Sequence, residues 1–176
     1  MAGWWHSYSD VLPSWFPTYV GLEGAAHLIR SYEVQFVHGL LQTEAYAHAV
    51  VARGMRGASP ADIERRVALR RPYGDREVMR EQLQHLIEVS ERPNVRLQVM
   101  PFSFGGHSGE SGSFTILSFP ESDLSDVVYL EQLTSALYLD KREDVTQYES
   151  ALKQLQQDSP GPSESRDLLR GLLQLS

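Results

Sequence analysis

The alternation of apolar and polar residues divides the chain into helices and strands that follow one another at short intervals. Apolar residues three and four positions apart indicate amphipathic helices, and Ser, Thr or Asp before such a stripe is typical of a helix start. Six helices are predicted in this way, beginning near Pro17, Thr43, Ser59, Asp75, Asp140 and Ser163. The stripe after Asp75 is the most regular of the six.

Four stretches show instead the two-residue period or the β-branched and aromatic enrichment of strands. They are residues 28–38, 94–100, 112–119 and 126–133. One face of the first stretch would carry Tyr32, Val34, Phe36 and His38. The short separations of the last three favour an antiparallel meander. The sequence therefore predicts an α+β fold, a small and mainly antiparallel sheet of about four strands packed with several helices.

Length and composition indicate an ordinary globular protein. The chain has 176 residues, of which 41% are apolar and 22% are charged, values close to those of folded domains. The segment "DSPGPS" separates the last helix from the rest. We therefore expect residues 1–158 to form a single α+β domain and residues 159–176 to form a C-terminal helix packed on it.

Charge and cysteine content exclude several classes of function. The formal net charge of −7 repels phosphate backbones, so we expect no direct binding of nucleic acid. The absence of cysteine excludes disulfides, thiolate zinc sites and a thiol nucleophile. The sequence shows neither a signal peptide nor an apolar run long enough to span a bilayer, so we expect a cytoplasmic protein that does not contact membranes.

Several sequence blocks, taken together, resemble a known family. They are "GWWHSYSDVLPSWFPTYVGLEGAAHLIRSYEVQFVHGLLQTEAYAHAV", "NVRLQVMPFSFGGHSGESGSFTILSFPESDLSDVVYLEQLTSALYLDKREDV" and the Leu-rich end. They are similar to the C-terminal domain of unknown function of actinobacterial XRE-type regulators, in which a helix-turn-helix precedes a domain regarded as a sensor of a ligand or partner. The resemblance spans nearly the whole chain, so it implies a sensor-like module, expected here to stand alone without the DNA-reading half.

The chain departs from that family at two places, one within a resembling block and one between two of them. The family usually has proline where this chain has His38, and "RRVALRRPYGD" near Arg70 and Arg71 looks shorter than its counterpart. A strand lost there would leave a sheet edge or a cavity to be covered. A second subunit, the chain's own N-terminal aromatic residues or a ligand could cover it, so a homodimer is among our expectations.

Two histidines and a glutamate are the candidates for acid/base chemistry. We expect His38, His107 and Glu131 to supply it if the protein is an enzyme, because imidazole titrates near neutrality and a carboxylate can orient it. The alternatives are that His107 belongs to a flexible glycine-rich loop and that His38 only bonds backbone at a corner. The sequence contains neither HExxH nor GxSxG, so we expect no metal and no hydrolase, and no cofactor is implied.

Aromatic residues are concentrated in the first quarter of the chain. Most of them are expected in the core, and those left at a concave surface would form an apolar ligand site. The predicted ligand-binding residues are Trp5, Trp15, Tyr19, Tyr32, Phe36, Gln42 and Tyr129.

Three hypotheses for function follow from these observations. The first is a domain that binds an apolar small molecule. The second is a cofactor-independent cyclase or isomerase, of a pericyclic type such as Diels-Alder, acting on an apolar polyene or polyketide in natural-product biosynthesis. Such an enzyme needs mainly shape, orientation and one or two hydrogen-bond donors. The third is an adaptor that pairs with a regulator through a sheet edge or the last helix.

Overall fold

The computed structural model describes residues 15–54, 74–101, 109, 112–132 and 134–175. In order along the chain, these residues form α1 (Phe16–Ala25), β1 (Leu28–Tyr32), a 3₁₀-helix (Gly39–Leu41), α2 (Glu44–Gly54), α3 (Arg76–Val89), β2 (Phe114–Ser118), β3 (Val127–Glu131), β4 (Ala136–Leu139), α4 (Arg142–Asp158) and α5 (Pro162–Leu175). The predicted α+β fold is confirmed. The helix predicted from Ser59 lies outside the described residues. Within the described residues, no helix is long and apolar enough to cross a membrane.

The four strands form one sheet in the order β1-β2-β3-β4, and every neighbouring pair is antiparallel. Thr115 pairs with Tyr129, and Tyr129 pairs with Tyr138. Because side chains alternate along a strand, these residues share one face of the sheet. We call it the tyrosine face, and its residues on β2, β3 and β4 include Thr115, Tyr129, Glu131, Ala136 and Tyr138.

The opposite face of the sheet carries Tyr32 and Phe114, which pair across β1 and β2. The Phe114 ring centroid lies 5.0 Å from that of Tyr148 on α4, in an edge-on arrangement. All five residues of β2 are buried, as expected for a central strand whose two faces are both covered.

Contacts divide the chain into two compact units. The first contains residues 1–32 and 113–151, which include α1 and the sheet. The second contains residues 33–112 and 152–176, which include the 3₁₀-helix, α2, α3 and α5. The expected boundary between residues 158 and 159 stays a prediction.

The core of the second unit is built around α3. Asp75 caps this helix, because its Oδ1 accepts a hydrogen bond of 3.0 Å from the backbone N–H of Val78. The buried core residues are Val37, Tyr46, Met79, Leu83, Leu86, Ile87 and Leu169. The apolar stripe predicted after Asp75 is therefore confirmed, and Leu169 belongs to α5, which packs against α3.

Two of the predicted strands are corrected by the structure. The first ends at Tyr32, where its pairing with β2 ends, so Val34, Phe36 and His38 do not share a strand face with Tyr32.

Residues 94–100 form no strand at all. The N–H of Val99 donates instead to the Ser165 hydroxyl at 2.9 Å, and the Gln98 side chain donates to the carbonyls of Gln156 and Pro160. The fourth strand is β4, within the segment "SALYL".

Candidate functional site

Aromatic side chains from α1, β3 and β4 meet on the tyrosine face of the sheet. The ring centroids of Tyr19 and Tyr129 are 4.4 Å apart, and those of Tyr129 and Tyr138 are 5.2 Å apart. The Tyr138 hydroxyl donates to the Trp15 carbonyl at 3.0 Å. Trp15 immediately precedes α1, and Tyr19 lies in its first turns, so α1 supplies one side of this cluster and the sheet the other.

Two polar atoms of the cluster are closed to solvent without a hydrogen-bond partner in the part of the chain that the structure describes. They are Nε1 of Trp15 and the hydroxyl oxygen of Tyr129, a residue that is only 6% exposed. Buried polar groups are hydrogen-bonded in the great majority of cases, because an unpaired one loses its hydration without compensation. Two such groups in one aromatic cluster mark it as a candidate binding site.

The electrostatic surroundings of the cluster are acidic. Burial raises the pKa of the Tyr129 hydroxyl, the charges of Glu131 and Tyr138 and the contact with the Glu131 side chain raise it further, and the contact with the Trp15 indole opposes the shift. Burial also raises the pKa of the Glu23 carboxyl, although the Tyr19 hydroxyl donates to its Oε1 at 2.8 Å and opposes that shift. Tyr129 is therefore a neutral phenol at physiological pH and remains able to donate a hydrogen bond.

Four of the predicted site residues come together in this cluster: Trp15, Tyr19, Tyr129 and Glu131. Tyr32 lies on the opposite face of the sheet, where its ring centroid is 5.9 Å from that of Phe114. Trp5 and His107 lie outside the described residues. Sequence analysis missed Tyr138, because its strand was not predicted.

The remaining predicted site residues, Phe36, His38 and Gln42, belong to the second unit. His38 precedes the 3₁₀-helix, and its Nδ1 accepts a hydrogen bond of 3.3 Å from the backbone N–H of Leu40. Burial lowers the pKa of His38, which favours the neutral imidazole that this acceptor role requires. Gln42 donates to the Val37 carbonyl at 2.6 Å, and Phe36 packs against the core.

The corner from Val37 to Thr43 is held by a buried residue that sequence analysis missed. Gln82 of α3 is fully buried, and its amide accepts from the Thr43 N–H at 2.8 Å and donates to the Leu41 carbonyl at 2.7 Å. A polar residue inside the apolar stripe of α3 was the signal that could have identified it.

A second cluster that sequence analysis missed lies on the sheet face opposite the tyrosine face. Nη2 of Arg30 contacts Oδ2 of Asp126 and Oε1 of Glu149, both at 2.9 Å, and the Ser118 hydroxyl at 3.1 Å. Arg30, Ser118 and Glu149 belong to β1, β2 and α4, and Asp126 immediately precedes β3, so the cluster ties these parts of the chain together. No local spacing reveals it, since its partners are as far as 119 positions apart.

In the described residues, no group of three or more His, Asp or Glu side chains is arranged to hold a metal ion. The arrangement on the tyrosine face is thus an apolar surface with a few polar atoms, which suits binding and hydrogen-bond donation.

Comparison with protein families finds a match. The family described as "Domain of unknown function (DUF5753)" matches residues 16–70 and 67–171. The two matched ranges overlap at residues 67–70, within the segment "RRVALRRPYGD". Comparisons with curated proteins and with solved structures found no match.

Proposed function

Since this chain belongs to the family of the domain of unknown function DUF5753, we propose that it binds an apolar small molecule at the tyrosine face of its sheet. The sequence blocks that resemble the sensor half of XRE-type regulators support the same role, that of a ligand-binding module. The observation that carries the proposal is the cluster of Trp15, Tyr19, Tyr129 and Tyr138, with its two unpartnered polar atoms.

Aromatic rings favour this function because each offers a large apolar area and a face for stacking. Most ligand sites are lined by such side chains, with a small number of polar atoms that orient the ligand. The tyrosine face has this composition. The second aromatic group, formed by Tyr32, Phe114 and Tyr148, lies against the opposite face, and the buried atoms of that group do not include an unpartnered hydroxyl.

The experiment is a titration with N-phenyl-1-naphthylamine, an uncharged probe whose fluorescence rises in apolar surroundings. The protein is expected to bind it saturably and to gain thermal stability from it, because a ligand of the native state stabilises that state by mass action. Tyr19→Ala is expected to weaken binding roughly tenfold, since it removes one ring of the cluster.

Tyr148→Ala is the matched control, because it removes a tyrosine ring from the opposite face of the sheet. Its affinity for the probe is expected to equal that of the unchanged protein. Absence of saturable binding, or equal loss in both variants, would refute binding at the tyrosine face.

A second candidate function is a cofactor-independent cyclase or isomerase that acts on an apolar polyene or polyketide. The neutral Tyr129 hydroxyl, beside the Glu131 carboxylate, favours it, because a fixed donor can stabilise charge that develops on a substrate oxygen. Binding against the rings would supply the folded conformer of the substrate. With a substrate that the protein converts, Tyr129→Phe is expected to lower kcat with little change in KM. Values of kcat and KM equal to those of the unchanged protein would exclude this role for Tyr129.

A further inference from the structure

We propose that the ligand presents an uncharged hydrogen-bond acceptor, such as a ketone, ester or amide carbonyl, to the Trp15 Nε1–H and the Tyr129 hydroxyl. This inference rests on the proposed binding at the tyrosine face and specifies the chemical class of the ligand. It has one structural basis: both atoms are buried and unpartnered, and the Trp15 indole lies near the Tyr129 hydroxyl.

The unpartnered atoms specify an acceptor because of their own chemistry. An indole N–H can only donate, and a protonated phenol has one O–H to donate. The Trp15 indole and the Glu131 side chain both lie near enough to the Tyr129 hydroxyl to shift its pKa, but neither of them makes a hydrogen bond of full geometry with it. A carbonyl oxygen has two lone pairs and can accept from both donors at once, which would recover the hydrogen bonds that both groups lack.

The charges around the cluster specify that the acceptor is uncharged. Glu131 interacts with Tyr129 strongly enough to oppose its ionisation, so it opposes a ligand carboxylate at that place for the same reason. An ammonium group would match the carboxylate, but it would meet two donors and could accept from neither. A neutral carbonyl satisfies the donors without either penalty.

Both atoms are closed to solvent, so a ligand reaches them only when the packing around the cluster opens locally. α1 is an element of the cluster that is suited to a small local adjustment. It has no buried residue and no side-chain hydrogen bond at its N-terminal cap. Elements with few buried contacts open locally at low cost compared with unfolding of the whole protein.

Four naphthalene probes with the same ring body test the inference. They are 2-acetylnaphthalene, 2-ethylnaphthalene, 2-naphthoate and 2-(aminomethyl)naphthalene, which carry a ketone, no polar group, a carboxylate and an ammonium group. The acetyl probe is expected to bind at least about fivefold more tightly than each of the other three, the gain that one net hydrogen bond gives. Affinities are measured with the full chain by calorimetric titration.

Two conservative variants locate the donors. Tyr129→Phe and Trp15→Phe each keep a ring but remove one donor. Each is expected to reduce the preference for the acetyl over the ethyl probe, while the affinity for the ethyl probe is retained. Tyr148→Phe, the matched loss of a hydroxyl from the opposite face, is expected to keep the full preference. If one of the two donor variants does not fold, the probe preference of the other variant decides the test.

A third variant tests the role of charge. Glu131→Gln is expected to raise the affinity for 2-naphthoate about fivefold, because it removes the nearest negative charge while keeping the side-chain shape. Glu121→Gln, at an exposed position between β2 and β3, is the control and is expected to leave that affinity unchanged.

The outcomes separate this inference from the proposed function. Equal binding of the acetyl and ethyl probes, unchanged in both donor variants, would overturn the carbonyl assignment and leave apolar binding intact. Tighter binding of the carboxylate or the ammonium probe would also overturn it. Failure of all four probes to bind would overturn both the inference and the proposed function.

Discussion

The backbone conformation at position 38 is compatible with two different side chains, those of histidine and proline. Its φ of −53° lies in the range that proline imposes, in keeping with the proline that the sequence resemblance leads us to expect at this position. The imidazole adds a hydrogen bond from the Leu40 N–H, at 3.3 Å. The corner is held mainly by hydrogen bonds between its main-chain atoms and the side chains of Gln42, Tyr46 and Gln82. None of these bonds involves the His38 side chain.

His38→Pro is therefore expected to change the free energy of unfolding by no more than about 1 kcal/mol, because the lost hydrogen bond is offset by a less flexible unfolded chain. Urea denaturation measures the change. Leu41→Pro is the contrasting variant, since the Leu41 N–H donates to the His38 carbonyl at 2.8 Å, and it should cost about 3 kcal/mol. Equal losses in the two variants would show that the His38 side chain is essential to the corner.

The protonation of His38 makes stability depend on pH. Burial lowers the pKa of His38 below its ordinary value of 6.5, so below pH 6.5 the unfolded chain binds more protons at this residue than the native protein does. The contribution of His38 to the free energy of unfolding therefore falls as the pH drops through the native pKa. His38→Asn keeps an acceptor for Leu40 and should reduce this acid slope, as measured by urea denaturation at a series of pH values.

His48 on α2 is the control for that measurement, because its side chain is 81% exposed. His48→Asn is expected to retain the acid slope of the unchanged protein. If both variants lose the slope equally, or neither does, then the burial of His38 is not its source.

At the scale of elements, the helices were easier to predict than the strands. The Thr43 and Asp75 caps and the apolar stripe of α3 are local features, and the structure contains them as expected. Strands depend on partners elsewhere in the chain. Residues 94–100 have a strand-like composition, yet their hydrogen bonds go to Ser165 and to the carbonyls of Gln156 and Pro160, which no local pattern reveals.

The candidate site was predictable only in part for the same reason. The concentration of aromatic residues pointed to Trp15, Tyr19 and Tyr129 as neighbours of a ligand. Their meeting with Tyr138 depends on the register that pairs Tyr129 with Tyr138, and that register is a property of the folded sheet. The unpartnered state of two of their polar atoms is also a property of the fold.

Gln82 provides the prediction that belongs to this scale. Gln82→Leu is expected to lower the free energy of unfolding by about 2–4 kcal/mol, because it leaves the Thr43 N–H and the Leu41 carbonyl without their partner. Gln84→Leu, two positions along the same helix and exposed, is the control and should change it by less than about 0.5 kcal/mol. Urea denaturation compares them, and similar losses would contradict the role of Gln82.

At the scale of the whole molecule, net charge separates ligand binding from nucleic-acid binding. With 23 acidic and 16 basic residues, the chain repels phosphate at long range. Part of the basic charge is already paired, as where Arg30 contacts Asp126 and Glu149. The expected homodimer stays a prediction, which light scattering during gel filtration would test.

The charge predicts that the protein will not bind a duplex DNA oligonucleotide. Fluorescence anisotropy at low salt is expected to show no saturable binding up to about 10⁻⁵ M protein, because binding of this kind depends on contacts from Lys and Arg to phosphates. A basic DNA-binding protein of similar size is the positive control. Binding that weakens steeply as salt is added would contradict the prediction and reveal a local basic surface.

The hydrogen bonds of Gln82 have a practical consequence for engineering. The Gln82 amide holds the main chain of the corner, and the corner residue Leu40 is 59% exposed, so the Leu40 side chain contributes little to the shape of the corner. Position 40 can therefore be randomised, labelled or chemically modified while the scaffold is retained. The corner is an attachment point at which new recognition could be built without redesigning the fold.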